Sequence, residues 1–197
     1  MASDKASPRR RLSRTDWVDG ALAAIAEGGL AEVAVEPLAA RLGATKGSFY
    51  WHFASRDELL EAALAEWEDR HTTAVTAEVE QAPGDVLDQF RLLIKRVINL
   101  AEGDRIGIAL LATADHPAVA PVLARVSRQR IAFIARMFAK LGFPPAQARR
   151  RALLAYGAYV GHAQVAHATP DVLPRSQADT GAYIDHVLQA LTTLPKR

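Results

Sequence analysis

With 197 residues, half of them hydrophobic, the chain can bury one large core or join a small domain to a larger one. It has no cysteine, which excludes a disulfide framework, a thiolate nucleophile and a thiolate metal site, and suits a reducing cytoplasm. The net charge of +2 separates no function class from another, but its placement is informative: Lys5, Arg9, Arg10, Arg11 and Arg14 stand against Asp4 alone in a basic N-terminal arm. No apolar stretch of the signal-peptide kind follows that arm, and no run of about 18 apolar residues occurs, so neither secretion nor a membrane partner is expected.

Apolar residues recur at helical spacing almost throughout and nowhere sustain the period of two of a strand, so the spacing predicts an all-α fold of about nine helices. Trp17, Val18, Ala21, Leu22 and Ile25 make the stripe of a first helix, capped by Ser13 or Thr15 and stopped at Gly28-Gly29. A short second helix is expected over 36–42, with Pro37 in its first turn and Gly43 as its left-handed stop. A third follows Thr45 and ends near Phe53. Ser55 and Glu58 have capping-box spacing and open a long fourth helix through Leu59, Leu60, Ala63, Leu64, Trp67 and His71 toward Gln81. Pro83-Gly84 breaks it. Further helices are expected over 86–103, 105–114, a segment of uncertain start ending at the stop Leu141-Gly142-Phe143-Pro144, then 146–168, and finally a stripe through Tyr183, Val187 and Leu191 to Leu194. The domain organisation expected is an arm and three-helix head over 1–54 and a larger body over 55–197.

Three short helices with a glycine-centred turn between the second and third are the plan of a helix-turn-helix, whose third helix enters the major groove. Thr45 is placed to cap that third helix, and Lys46 and Ser48 at its start suit a backbone phosphate. Tyr50, Trp51 and His52 are too many large side chains for so short a helix to bury. The stretch from Val35 through Leu38-Ala39-Ala40-Arg41-Leu42-Gly43-Ala44-Thr45-Lys46-Gly47-Ser48-Phe49-Tyr50-Trp51-His52-Phe53, followed by Ser55-Arg56-Asp57-Glu58-Leu59-Leu60, resembles the N-terminal signature of the TetR family of transcriptional regulators. The resemblance implies a homodimer that binds palindromic double-stranded operator DNA, most often as a repressor, and is released by a small-molecule inducer. It implies DNA contacts at Thr45, Lys46, Gly47, Ser48, Tyr50, Trp51, His52 and Arg56, joined here by Arg14 of the arm, with Leu38, Ala39, Phe49 and Phe53 packing the head. Two residues depart from the pattern: Ala34 leaves the second helix without a side-chain cap, and Gly20 lies inside the first helix.

Beyond about Gln81 the chain matches no motif, as expected of the half that binds inducer. Polar and aromatic residues inside apolar helices are the pocket candidates: Trp67, His71, Asn99, Thr113, His116, Tyr156, Tyr159 and His162, with Gln164 and His167 beside them. The apolar surroundings favour an apolar or aromatic ligand between the fourth and eighth helices. His162 and His167 are five apart, not the four that puts two imidazoles on one helix face, and no metal or cofactor is expected. An all-α enzyme is the main rival class. Asp115, His116 and Asp171 could be named as acid or base groups, but no phosphate loop, nucleophile elbow or paired carboxylates accompany them. A scaffold that binds only protein would leave Lys46, Tyr50 and Arg56 without a purpose. Dimerisation is expected on the last two helices, through Gly157 and Gly161 on one and Tyr183, Val187, Leu191 and Leu194 on the other.

Overall fold

A computed structural model describes residues 11–193, and helices are the only regular elements among them. They are α1 (Arg14–Gly28), α2 (Val35–Arg41), α3 (Lys46–Tyr50), α4 (56–81), α5 (Val86–Gly103), α6 (Arg105–Ala112), α7 (Ala120–Lys140), α8 (Pro145–Ala168) and α9 (Gln177–Thr192). None is long and apolar enough to cross a membrane. Leu194, one of the expected dimer residues, lies outside the described residues, as do Lys5, Arg9 and Arg10 of the arm.

Local chemistry explains where the helices begin. Ser13, Thr45, Ser55, Asp85, Asp104 and Ser176 each accept a hydrogen bond from a first-turn amide of the helix that follows. The three helices without such a cap, α2, α7 and α8, carry Pro37, Pro121 and Pro145 in their first turns, where a missing N–H costs nothing. Ser13 forms a full capping box with Asp16. At α4 the reciprocal bond is shifted by one residue: Ser55 accepts from the Glu58 amide, but the Glu58 carboxylate takes the amide of Ala54 at 2.7 Å. The expected stop after α7 is a Schellman turn, with Gly142 at φ +88° and the Phe143 amide bonded to the Phe138 carbonyl at 3.1 Å.

Two cores hold the molecule together. The first joins Trp17, Ile25, Leu38, Phe49 and Phe53 of the head to Leu60, Leu64 and Trp67 of α4, Leu110 of α6 and Val126 of α7. The second gathers the later half of α4 with α5, α7, α8 and α9 around Phe90, Phe133, Met137 and Phe138. Packing in the first core accounts for Gly20: a Cβ there would meet the Leu42 and Leu38 methyls at 3.1–3.3 Å, so the glycine lets α1 approach α2 closely and returns its helix-propensity cost as contact.

Helix α4 is one rod in three parts: an α-helical Arg56–Glu68, a π-helical Asp69–Thr73 and an α-helical Ala74–Gln81. The π turn sits where the rod passes from the first core to the second. Such turns cluster at functional sites, because the widened turn changes which carbonyls and side chains face the interior. Here it buries Thr72 and turns the carbonyl of His71 toward α7.

Candidate nucleic-acid interface and ligand cavity

The third helix has one anchored face and one open face. Phe49 is fully buried, edge-on to Trp17 with ring centroids 5.4 Å apart and stacked on Phe53 at 5.7 Å. With this side fixed, the opposite side projects outward, leaving Tyr50 53% and Trp51 80% exposed and Lys46 and Gly47 on the surface beside them. The Thr45 hydroxyl accepts the Ser48 amide at 3.1 Å, and His52 is half-buried. Lys46 is paired with Glu36 of α2 at 2.8 Å, an exposed pair that a phosphate could displace at little cost. Arg14 lies with its guanidinium 4.5 Å from the centre of the Phe53 ring and 3.7 Å from Glu58.

Arg56 behaves otherwise than expected. Its guanidinium turns inward and donates to the carbonyl oxygens of Val33 and, at 2.9 Å, Leu30. It closes the turn between α1 and α2, so in this conformation its part is to hold the head together, not to face outward beside Lys46.

In the second core lies a cavity of about 110 Å³. Phe90, Leu93, Ile94, Phe133 and Ile134 supply apolar walls, while His71, Thr72, Arg130, Tyr156, Tyr159 and His162 bring polar groups. Trp67 lines a smaller adjoining hollow that shares Arg130, Tyr156 and Tyr159 with it. The expected His71, Tyr156, Tyr159 and His162 are thus brought together, with Trp67 next to them. The Tyr156 hydroxyl is bonded to Ser127 at 2.9 Å, and the Tyr183 hydroxyl sits 3.4 Å from His162 Nδ1. Nε2 of His162 is buried with no partner among the described residues.

Three expected pocket residues lie elsewhere. Asn99 faces a separate open groove between α5 and the start of α9. The Thr113 hydroxyl returns to the Ala109 carbonyl at 2.9 Å, and His116 Nδ1 accepts the Ala118 amide at 3.2 Å. Both close the turn between α6 and α7, the usual work of polar side chains at helix ends. Sequence reasoning missed Arg130 and Asp104. The signal for Arg130 was available, since a lone arginine continues the stripe Val126, Phe133 and Met137 of α7.

Asp104 is an almost fully buried carboxylate, 5% exposed, 3.4 Å from His71 Nδ1 and accepting the Gly107 amide at 2.9 Å. Burial pushes its pKa up, but the bonds from His71 and Gly107 more than offset this and hold it below its ordinary value. Burial lowers the His162 pKa from its ordinary 6.5, against the pull of Glu102. The folded state therefore binds that proton less readily than the unfolded one, so the associated stability is present above pH 6.5 and is lost as pH falls through 6.5 toward the folded value. Denaturant titrations between about pH 7 and pH 5.5 should show His162→Leu losing less stability than the wild type. Equal losses would mean that His162 does not titrate against its burial.

On α8, Gly157 and Gly161 are exposed, with open space where a Cβ would stand, and Leu153 and Leu154 on the same side of the helix are 60% and 65% exposed. The expected partners on α9 face the other way. Tyr183, Val187 and Leu191 line the cavity of their own protomer, packed with buried Ile184 and Leu188. The surface α9 presents outward holds a patch of small residues instead, Ala178, Gly181 and Ala182, among exposed Asp179, Asp185, His186 and Gln189.

Residues 18–63 match the family of bacterial regulatory proteins, tetR family. The regulator TtgR of Pseudomonas putida is 29% identical over 87 residues, which are 44% of this chain and 41% of that protein, so the match spans under half the length of this curated relative. In fold the likeness is broader. A transcriptional regulator from Rhodococcus sp. Rha1 superposes with a TM-score of 0.72 over 93% of this chain and 100% of its own, at 20% identity. E. coli NemR in its reduced form gives 0.73 over 93% and 99%, at 16% identity. Residues 18–63 thus carry the N-terminal domain of the tetR family of bacterial regulatory proteins, and the chain as a whole has the fold of solved transcriptional regulators.

Proposed function

We propose that this protein is a transcriptional repressor that binds a palindromic operator as a homodimer and leaves it when a small ligand enters the cavity. The observation that carries the reading is the third helix: one face is locked by Phe49 and the other offers Lys46, Gly47, Tyr50 and Trp51 to a groove. Thr45, Ser48, His52 and Arg14 border the same surface. Lys46 and Tyr50 meet phosphate, and Trp51 reaches the bases or sugars. Arg56 supports these contacts by fixing the turn beneath them.

The dimer forms on α8 and α9, with Leu154, Gly157 and Gly161 of one protomer against their two-fold mates and the patch Ala178, Gly181 and Ala182 of α9 alongside. Ligand and operator oppose each other through α4, which runs from the head at Ser55 to the cavity wall at His71 and Thr72.

Gel shifts on the upstream intergenic DNA of the chain's own gene test the reading. Tyr50→Ala and Trp51→Ala should fold as the wild type does and weaken binding by about tenfold or more each. Lys46→Ala should weaken binding to every sequence and reduce the salt slope by about one. Wild-type affinity in all three would sink the docking.

A further inference from the structure

We infer that the cavity selects an anion: its ligand is an apolar body carrying one acidic group, and Arg130 is the residue that receives it. This rests on the reading of the cavity as a ligand site and adds the charge of what it takes.

Arg130 reaches inward from the apolar stripe of α7 and is only partly exposed. Its Nε donates to Thr72 Oγ1 at 3.0 Å and its Nη2 to the His71 carbonyl at 3.0 Å, so the π turn of α4 fixes the plane of the guanidinium. Trp67 and Tyr159 each hold their ring centre 5.6 Å from its central carbon. The head group is thus oriented by neutral partners. No carboxylate of the described residues lies within ion-pair reach of it. The two acids nearest in the fold are already engaged. Glu68 is held by Arg125 at 2.9 Å from Nε, and Asp104 by His71 and the Gly107 amide.

A cation drawn into an apolar wall and hydrogen-bonded only to neutral groups, with the charge of Glu68 acting on it from beyond contact and shared with Arg125, is costly to keep unless an anion completes it. Two of the five N–H groups of a guanidinium are accounted for by Thr72 and His71, and the geometry of the fork suits a carboxylate. His162 and Tyr159 at the cavity add no competing charge. Burial holds His162 below its ordinary pKa, and burial, opposed by Arg130, pushes the Tyr159 phenol up, so both are neutral near pH 7 and serve as hydrogen-bonding partners. A volume of about 110 Å³ suits a single ring or a short chain better than a long lipid.

Calorimetry on the full-length protein with two matched series tests this: phenylacetate, phenylacetamide and 2-phenylethylamine, then hexanoate, hexanamide and hexylamine. The acids should bind about ten- to a hundredfold more tightly than their amides, as expected of a charged hydrogen bond over a neutral one, and the amines should not bind measurably. Arg130→Gln should bring acid and amide to the same affinity, and Arg130→Lys should restore the preference for the acid. A purely structural role for Arg130 would weaken acid and amide alike. Amides binding wild-type protein as tightly as acids would overturn the charge selection while leaving the cavity as a ligand site. Absence of binding by every probe would overturn both. Acids that bind selectively but leave the gel shift unchanged would uphold the charge selection and sink only the proposed release from operator.

Discussion

Leu154→Glu together with Gly157→Glu should turn the protein into a helical monomer that binds operator DNA at least a hundredfold more weakly. The single protomer tolerates both changes. Leu154 is 65% exposed, and a Cβ at Gly157 meets nothing within 4 Å, so glutamate there even recovers part of the roughly 1 kcal/mol that glycine costs in a helix. Across a two-fold interface the same residues meet their own copies. Four carboxylates would then be drawn from water into a small-residue contact, where each uncompensated charge costs about 3–5 kcal/mol. A monomer reads one half-site, and the gain from tethering two heads at the spacing of the groove disappears. Sedimentation, circular dichroism and gel shifts measure the three parts separately. A variant that still sediments as a dimer would place the interface elsewhere; a monomer with wild-type operator affinity would end the two-fold docking. Glutamate at Val187 or Leu191 is a different experiment, because these residues close the cavity and core of their own protomer, and the expected outcome is unfolding.

That contrast shows what periodicity can and cannot reveal. The wide apolar surface of α9 is real, but a stripe has one inward direction, and the largest residues take it: Ile184, Leu188 and Leu191 are buried, and Tyr183 and Val187 complete the wall. What remains outside is a patch of Ala178, Gly181 and Ala182 among polar Asp179, Asp185, His186 and Gln189, which no hydrophobic pattern brings forward. The head was more legible, because caps, glycine stops and a dense motif coincide over 45–60. Thr45 and Ser55 cap where their positions imply, and Phe49 and Phe53 are buried. The π turn over 69–73 left no trace in Asp69-Arg70-His71-Thr72-Thr73, which contains neither glycine nor proline and keeps the helical period. Polar residues at helix ends misled in the opposite sense. Thr113 and His116 look like pocket residues in an apolar stretch, but a chain that must turn between α6 and α7 needs local acceptors first.

Phe49→Ala should lower stability by about 3–5 kcal/mol, the range for removing a fully buried aromatic ring, and for a chain of this length lower the melting temperature by roughly 6–20 °C. The reason is the brevity of α3. Five residues cannot hold a helix on their own hydrogen bonds, so the element exists because Phe49 inserts between Trp17 and Phe53. Little can close over the space, since Trp17 is itself fully buried and locked in α1. The loss should also spread. Phe49 belongs to the same core as Leu64 and Trp67 of α4, Leu110 of α6 and Val126 of α7, so the whole first core should soften in one transition instead of the head melting alone. Tyr50→Ala, one residue further on the exposed side, should stay within about 0.5 kcal/mol of wild type while losing operator affinity. Calorimetric scans of the two variants separate the roles. If Phe49→Ala gave two resolved transitions with the upper one unmoved, the head would be an independent unit, and α4 would carry no mechanical link from the cavity to the DNA.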